Sequence, residues 1–327
     1  MTCFVRPFLA ATLAAALCLC ATASALAQVE TRAEIRVGLS VSDNAVFAPV
    51  AAAVELGFFN EAGLSIHIVP LRGVAAAEEA LDAGHVDVID HTIAYAARAI
   101  AAGAQLKIIA TATRGFYGWS LVVRADNRAA SLSDLAGAKI GVGPRLSVAD
   151  MAARRLADMS HAKFNFIPTG PGALVPALRT GELDAVLYSA SVVRREAASG
   201  NARTILDLTD LADRTAIYGY SASRAMRETR GEDLRAFMSA VHRAAAHMQN
   251  DRAWSLRFLR TFANITDSGL AESLFDQVVN RLSTKGVSDP EEVRRGLSLA
   301  ARAWNDPMLA DIDPELVYSN EFLSPDL

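Results

Sequence analysis

Polar residues follow two apolar runs of the chain, at positions where a ligand site could form. His91 and Thr92 follow one run, and Tyr188 and Ser189 follow the other. Imidazole, hydroxyl and phenol groups donate and accept hydrogen bonds, so they could hold a small polar ligand. Both runs have the length and composition of buried strands, and ligands of open α/β sheets bind beyond the carboxyl ends of strands. We therefore expect two half-sites that face each other.

The same short phrase of sequence leads into both groups. Residues 80–89 read ALDAGHVDVI, and residues 177–186 read ALRTGELDAV. The glycines, Gly84 and Gly181, suit the left-handed conformation that ends a helix, and the apolar residues after each aspartate suit a short buried strand. Each copy therefore predicts a helix end followed by a strand.

Strands and helices alternate through most of the chain, and the alternation restarts after the turn-rich segment 125–137. This pattern is typical of parallel sheets with right-handed crossovers. Strands are predicted at 34–39, 65–69, 86–90, 107–112, 119–124, 139–142, 165–168 and 184–187. Helices are predicted at 49–60, 75–83, 148–159 and 174–179, followed by a helical tail with segments at 233–250, 253–262, 268–283 and 290–304.

We expect an α/β fold of two lobes, each a mostly parallel sheet flanked by helices, with a helical C-terminal tail. The first lobe would contain residues 28–118 and 222–327, and the second would contain residues 119–221. The chain would cross between the lobes near 116–120 and return near 218–223. A length of 327 residues is sufficient for two packed cores.

Residues 1–27 have the features of a secretory signal peptide. Arg6 gives a positive start, an apolar stretch follows, and Ala25-Leu26-Ala27 forms a small-x-small cleavage site. A membrane anchor is the alternative, but the apolar stretch is short for one. Loss of Arg6 would change the formal net charge from −4 to −5, a balance that does not favour nucleic acid as a partner. We expect an exported chain that is not inserted in a membrane.

Cysteine usage excludes several kinds of chemistry. Cys3, Cys18 and Cys20 all lie within the expected signal peptide, so the exported chain would have no disulfide, thiolate nucleophile or thiolate metal site. Cys18 and Cys20 each follow a leucine, whereas a lipoprotein site needs a small residue there. The six histidines show no metal-binding spacing. We therefore expect no cofactor, no metal, no lipid anchor and no enzymatic activity.

Two glycine-containing motifs have competing interpretations. Residues 141–143, Gly-Val-Gly, follow a predicted strand as in a dinucleotide-binding loop, but the third glycine position is Leu146. Residues 219–223 lack the final glycine of a nucleophile elbow and are better interpreted as a returning strand. Neither motif indicates an enzyme.

Residues 48–64, APVAAAVELGFFNEAGL, resemble the segment P-x-x-x-A-x-x-x-G-F-F-x-x-x-G-L of nitrate, sulfonate and taurine type substrate-binding proteins, including the SsuA and Thi5-like branches. Residues 103–110 and 131–142 support this likeness. The resemblance implies a type II periplasmic binding protein fold. It also implies a periplasmic, monomeric protein that delivers a small solute to the permease of an ABC importer.

In this family the loop after the first strand contacts ligand, and the other strand ends complete the cleft. The candidate ligand-binding residues are Ser40, Ser42, Asn44, Phe47, Arg72, Gly73, His91, Thr92, Arg114, Tyr117, Arg145, Ser147, Thr169, Tyr188 and Ser189. The turn 143–147 begins a helix, so its N–H groups and the helix dipole would make an anion site.

Several of these residues have a second interpretation. Arg114 and Arg145 could pair with a carboxylate or sulfonate, or could be exposed arginines at the rim. His91 could be a ligand contact or a structural histidine. Phe47, Tyr117 and Tyr188 could line an apolar wall, together with Phe116, or belong to the core.

The expected ligand is a small organic anion, such as a sulfonate or carboxylate. A secreted sensor of the same fold is one alternative, and a Thi5-like protein related to pyrimidines is another. The enzymes of the Thi5-like branch resemble one another in a cysteine-rich motif, which the exported part of this chain lacks.

Overall fold

The computed structural model describes residues 33–40, 44–143, 145–160, 162–189, 196, 199–210 and 214–324. The expected signal peptide, 1–27, and the candidate Ser42 lie outside these residues. Within them, no helix is both long and apolar enough to cross a membrane.

The described residues form two five-stranded sheets. The strands are β1 (Ala33–Leu39), β2 (Leu64–Pro70), β3 (Val88–Thr92), β4 (Leu106–Arg114), β5 (Trp119–Arg124), β6 (Lys139–Val142), β7 (Asn165–Pro168), β8 (Ala185–Ser189), β9 (Ala202–Asp207) and β10 (Ala216–Ser223). The first sheet has the order β2-β1-β3-β10-β4, and the second has the order β7-β6-β8-β5-β9. Strands β1 and β3 are parallel, as are β6, β7 and β8, whereas β10 and β5 run antiparallel to both of their neighbours. Both sheets are therefore mixed, with the expected parallel part and one antiparallel strand inserted.

Helices connect the strands and continue into the C-terminal tail. They are α1 (Ala48–Glu55), α2 (Phe58–Glu61), α3 (Val74–Asp82), α4 (Ile93–Ala101), α5 (Val148–Ser160), α6 (Pro171–Thr180), α7 (Arg224–Thr229), α8 (Gly231–Asn250), α9 (Arg252–Phe262), α10 (Ser268–Gln277), α11 (Pro290–Trp304), α12 (Met308–Asp311) and α13 (Pro314–Val317). Single 3-10 turns cover Ala45–Phe47, Ser133–Leu135, Leu208–Asp210 and Val279–Arg281. The long helix α11 packs against α4, α5 and β10, so it contacts elements of both halves of the chain.

Some elements differ from the sequence-based prediction. The helix predicted at 49–60 is interrupted at Gly57, whose φ of +76° is left-handed and ends α1. The helix predicted at 268–283 ends at Gln277 and is followed by a separate turn. Strand β9 and helix α4 were not predicted, because the first carries a mixed polar sequence and the second is a short alanine-rich run.

The repeated phrase forms the same hydrogen-bonded unit twice. In the first copy the carboxylate of Asp87 accepts from the backbone N–H of Arg36, and the N–H of Asp87 donates to the carbonyl of Arg36. In the second copy Asp184 makes the same pair of bonds with Lys139. Gly84 and its counterpart Gly181 have positive φ, as predicted for helix ends. The shared aspartate therefore fixes a strand start to the neighbouring parallel strand.

Strand β10 lies in the first sheet. Tyr218 is paired with Thr92 of β3 and also with Thr113 of β4. Gly219 allows this close pairing, because a Cβ atom there would lie 2.7 Å from the carbonyl oxygen of Ala110. The lobe boundary expected at 221 placed most of this strand in the second lobe, and its pairing corrects that assignment. The chain returns before residue 216.

A buried carboxylate holds both connections between the sheets. Glu292 of α11 is 1% exposed and accepts hydrogen bonds from Arg114, at the end of β4, and from Arg214, just before β10. Arg114 also donates to the carbonyl of Val287 at 2.8 Å. The guanidinium of Arg114 is therefore bound to Glu292 of α11 and to Val287 in the segment before this helix.

Helix α11 is pressed against β10 at a glycine. A Cβ atom on Gly296 would lie 2.6 Å from the carbonyl oxygen of Ala216, whereas one on Gly172 of α6 would meet nothing within 4 Å. Alanine favours helices by about 1 kcal/mol over glycine, but overpacking a tight contact costs about 1–3 kcal/mol.

We expect Gly296→Ala to lower the free energy of unfolding by about 1–2 kcal/mol, because the helix must move off the strand. The matched variant Gly172→Ala should leave it unchanged or raise it by up to about 1 kcal/mol. Urea denaturation followed by circular dichroism measures both. Equal stability of the two variants would show that α11 is not held this closely.

Candidate functional site

Consecutive residues at the end of β3 point to opposite faces of the sheet. The imidazole of His91 lies on one face, with Nδ1 at 2.9 Å from the Ser221 hydroxyl and Nε2 at 2.9 Å from a carboxylate oxygen of Glu78. A carboxylate only accepts, so Nε2 donates to Glu78, and Nδ1 is hydrogen-bonded to the Ser221 hydroxyl. This pairing gives His91 a structural role, whereas Asp90 and Thr92 share the other face.

Asp90 ties the end of β3 to the end of β1. Its carboxylate accepts from the backbone N–H of Ser40 and, at 2.7 Å, from the Ser40 hydroxyl. The pKa of Asp90 is raised, chiefly because burial disfavours the charged form, and the hydrogen bonds from Ser40 only partly oppose this effect. The loop after β1 is therefore held by hydrogen bonds to a carboxyl group whose pKa is raised by burial.

Aromatic rings surround this carboxyl group. The ring of Phe47 packs edge-to-face on Tyr218 and Tyr220, with centroids 5.9 and 5.2 Å away. Burial raises the pKa of Tyr218 to about 12, with the charge of Asp90 adding to the shift and a hydrogen bond with Trp119 opposing it. Burial and Asp90 also raise the pKa of Tyr220. Phe47, a candidate wall residue, and Phe116 both belong to the core.

Helix α4 begins directly after β3, and its N-cap residue, Thr92, makes no side-chain cap hydrogen bond. The hydroxyl is buried, with the residue 6% exposed, and has no hydrogen-bond partner among the described residues. The first N–H groups of a helix and its dipole attract anions, so this helix start can accept a negatively charged group.

The helix start predicted as the anion site is already occupied by a side chain of the protein. Ser147 caps α5 by accepting from the N–H of Asp150, and the carboxylate of Asp150 accepts from the N–H of Leu146. Burial is the largest cause of the raised pKa of Asp150, and the charge of Arg145 acts against it. The N–H of Leu146 in the turn 143–147 is therefore already used by an internal carboxylate, and binding of a ligand anion by this turn stays a prediction.

The starts of α4 and α5 lie close together. The indole N–H of Trp304, at the end of α11, donates to the carbonyl of Ser147 at 3.3 Å, and its ring lies 5.1 Å from that of Tyr95 in α4. Burial raises the pKa of Tyr95, the charge of Arg98 opposes the shift, and the charges of Glu78 and Asp150 add to it. Groups from both halves of the chain therefore act on one phenol.

Two of the three candidate arginines are exposed at strand ends. Arg72 follows β2 and Arg145 follows β6. Among the described residues, the side chain of Arg72 has no hydrogen bond or ion pair, and Arg145 interacts electrostatically with Asp150. Arg114 is excluded from this group by its bonds to Glu292.

The other candidates have structural contacts. Asn44 caps the turn Ala45–Phe47, Gly73 precedes α3 with a φ of +90° and donates to the Ser40 carbonyl, and the Thr169 hydroxyl donates to the Ile167 carbonyl. Tyr117 stacks against Arg281, and Tyr188 packs on the core of the second sheet. Ser189 pairs with Trp119 through the backbone, and its side chain lies outside the described part of the structure.

Sequence reasoning missed Asp90, Glu78 and Asp150 as members of the site. Strand alternation could have shown that Asp90 and Thr92 share a face that His91 does not. The spacing from Ser147 to Asp150 is that of a capping box, which could have predicted the occupied helix start. No local signal reveals Glu78, because only the tertiary fold brings it to His91.

We expect Asp90→Asn to stabilise the protein increasingly as pH rises. A folded pKa above the unfolded one contributes stability at low pH that is lost as pH rises through the folded pKa, and asparagine cannot ionise. The amide keeps both contacts, accepting from the Ser40 N–H and donating to its hydroxyl. Urea unfolding at several pH values between 3 and 8 measures the difference from wild type.

Asp134→Asn is the matched control. N–H groups of Ala130 and Ser131 and the Ser131 hydroxyl lower the pKa of Asp134, the Ala130 bond most strongly. Its contribution to stability is present at neutral pH and lost as pH falls, so this variant should show the opposite trend. A pH-independent difference for Asp90→Asn would contradict the raised pKa.

Comparison with known proteins identifies the family and the fold. The model of the NMT1/THI5-like family matches residues 44–253, well over half of the chain. No significant match exists among curated proteins. Many solved structures share the fold.

One such structure is the periplasmic aliphatic sulphonate binding protein SsuA from Escherichia coli. It is 18% identical, has a TM-score of 0.73, and the match covers 88% of this chain and 92% of that chain. A putative periplasmic sulfonate-binding SsuA of an ABC transporter from Methylobacillus flagellatus KT is 19% identical, with a TM-score of 0.72 and coverages of 90% and 93%. The desulfurization enzyme DszB is 15% identical, with a TM-score of 0.62 and coverages of 89% and 98%.

At these identities the structural likeness establishes the fold, which binding proteins and at least one enzyme share. The two mixed sheets, the flanking helices and the helical C-terminal segment are those of a periplasmic binding protein. The chain belongs to the NMT1/THI5-like family.

Proposed function

We propose that this chain is the periplasmic solute-binding component of an ABC importer and that it holds a small organic anion between its two sheets. The start of α4, where the buried hydroxyl of Thr92 makes no cap hydrogen bond and has no partner among the described residues, is the observation that carries the proposal. Family membership and the structural similarity to sulfonate-binding proteins support it.

The charges around the strand ends suit an anion. Arg72 and Arg145 extend from the loops after β2 and β6, one from each sheet, and both guanidinium groups are exposed. A guanidinium can bind a carboxylate or sulfonate through two parallel hydrogen bonds. The carboxyl group of Asp90 already accepts two hydrogen bonds from Ser40, and burial raises its pKa.

The number of hydrogen-bonding groups near the start of α4 is sufficient for micromolar affinity. Micromolar binding requires about −8 kcal/mol, and a hydrogen bond to a charged group contributes about 1.5–3 kcal/mol before ordering costs. The Thr92 hydroxyl, the N–H groups at the start of α4 and two arginines provide that many contacts. Ligand-induced closure of the two lobes would then present one continuous surface to a permease.

The remaining parts of the proposal concern export and chemistry. Residues 1–27 would direct export and be removed, leaving a monomeric chain without a lipid anchor. A binding protein is favoured over an enzyme such as DszB, because every cysteine of this chain lies within residues 1–27 and no thiol nucleophile follows. The described residues also contain no cluster of acidic or histidine side chains that could hold a metal ion.

A thermal-shift screen of the exported chain with sulfonates, carboxylates, nitrate, bicarbonate and pyrimidines tests the ligand class. We expect one or more organic anions to raise the melting temperature, since a ligand that binds only the folded state stabilises it. A shift caused by neutral pyrimidines alone would refute the anion assignment and favour the pyrimidine alternative.

Arg72→Ala and Arg145→Ala should each weaken binding of the selected anion about tenfold or more, with little change in the free energy of unfolding. Isothermal titration calorimetry measures the affinity. Arg235→Ala, which removes an exposed arginine of α8, is the control and should leave the affinity unchanged. Wild-type affinity in both variants would show that neither arginine contacts the ligand.

Thr92→Val tests the unpartnered hydroxyl directly. The change removes a buried polar group with no partner, so stability should be unchanged or slightly higher, by up to about 1 kcal/mol, while anion affinity falls. Thr113→Val removes a similar unpartnered hydroxyl two strands away and should leave affinity intact. An anion that binds both variants equally well does not contact Thr92.

A further inference from the structure

A cavity lies beside the connection that leaves the second sheet, and none of the residues proposed to bind the anion lines it. It has a volume of about 450 Å³ and is lined by the end of β9, the turn that follows it and helix α10. Ligand pockets commonly fall in the range of about 300–1,000 Å³. The cavity is therefore large enough for a small molecule.

Two buried polar atoms in the lining of this cavity have no hydrogen-bond partner among the described residues. They are the Ser273 hydroxyl oxygen and the side-chain carbonyl oxygen of Gln277. Ser273 is 4% exposed and Gln277 is 8% exposed, so neither group is well hydrated. Buried polar atoms without partners are costly, and a ligand that donates hydrogen bonds would satisfy both.

The orientation of Gln277 is set by its neighbour. Its amide N–H group donates to the carboxylate of Asp207, which also accepts from the Thr209 N–H at 3.0 Å. A flipped amide would place two acceptors together, so the carbonyl oxygen must be the atom without a partner. The cavity therefore presents an acceptor, and a donor is required to match it.

The charges of the lining favour a cation. Asp207 and the exposed Glu272 have no arginine or lysine partner among the described residues. The guanidinium of Arg281, the positive side chain of the lining, already donates to the Asp276 carbonyl and stacks on the Tyr117 ring at 5.5 Å. Arg281 keeps its positive charge and Asp276 pairs with Arg252, but Asp207 and Glu272 still leave an excess of negative charge in the lining, beside the two unpaired acceptors.

We infer that this cavity binds a small organic cation with a primary ammonium group. The ammonium would donate to the Gln277 carbonyl oxygen and the Ser273 hydroxyl, with Glu272 and Asp207 compensating its charge. Such a site is distinct from the anion site and does not require it.

Isothermal titration calorimetry with 1,4-diaminobutane, in the absence of any anion, tests the inference. The expected result is saturable binding of this diamine and much weaker binding of tetramethylammonium, which has the charge but no N–H donor. The near-isosteric neutral 1,4-butanediol should also bind weakly. Equal binding of the diol would overturn the cationic class, and equal binding of tetramethylammonium would overturn the role of the acceptors.

Variants locate the site. Ser273→Ala and Glu272→Gln should each reduce diamine affinity about tenfold. Ser273→Ala should also keep or raise the melting temperature, because the hydroxyl has no partner to lose. Glu55→Gln, at an exposed position on α1, is the control. The inference is overturned if the diamine does not bind or if both cavity variants bind it as wild type does.

Discussion

Insertion of β10 between β3 and β4 is the constraint on which the rest of the structure depends. The strand forms antiparallel hydrogen bonds on both sides, and it follows in the chain all the strands of the second sheet. Its alternating side chains serve both faces of that sheet: Ser221 holds His91 on one face, and Tyr218 and Tyr220 pack around Asp90 on the other. The same strand presents Ala216 to Gly296 of α11. Strand β10 therefore contacts the core, the strand ends of the candidate site and the C-terminal tail.

Local sequence was sufficient for most of the fold, because helix ends and buried strands leave local signals. The repeated phrase located two helix ends and two strands, and the structure adds that its aspartates bond to the backbone of the neighbouring parallel strand. The return crossing was misplaced, because a strand's sequence does not reveal which sheet it joins. Strand β9 was missed since it lacks a continuous apolar run.

Side-chain roles at the candidate site were harder to predict. They depend on where each side chain points and on whether another group of the protein already binds it. Arg114 and Arg145 look alike in sequence, yet one is committed to Glu292 and the other is exposed. A helix start with free N–H groups attracts an anion, but at α5 Asp150 already supplies the negative charge. At the start of α4, no cap hydrogen bond from the Thr92 side chain is made, and none of the hydrogen bonds found among the described residues places a carboxylate there. Comparing the two helix starts moves the proposed anion site from the second lobe to the first.

The ion pairs of Glu292 also have a mechanical meaning. Because Arg114 and Arg214 both bind this buried carboxylate, the two chain connections are fastened to α11 at their first-sheet ends. Any rotation of the second sheet must then be absorbed beyond those anchors. On the outgoing connection only residues 115–118 are left, and Gly115 and Gly118 within it have φ values of +83° and +75°. A rotation of the second sheet would therefore act on these glycines and on the packing of α11 against α5.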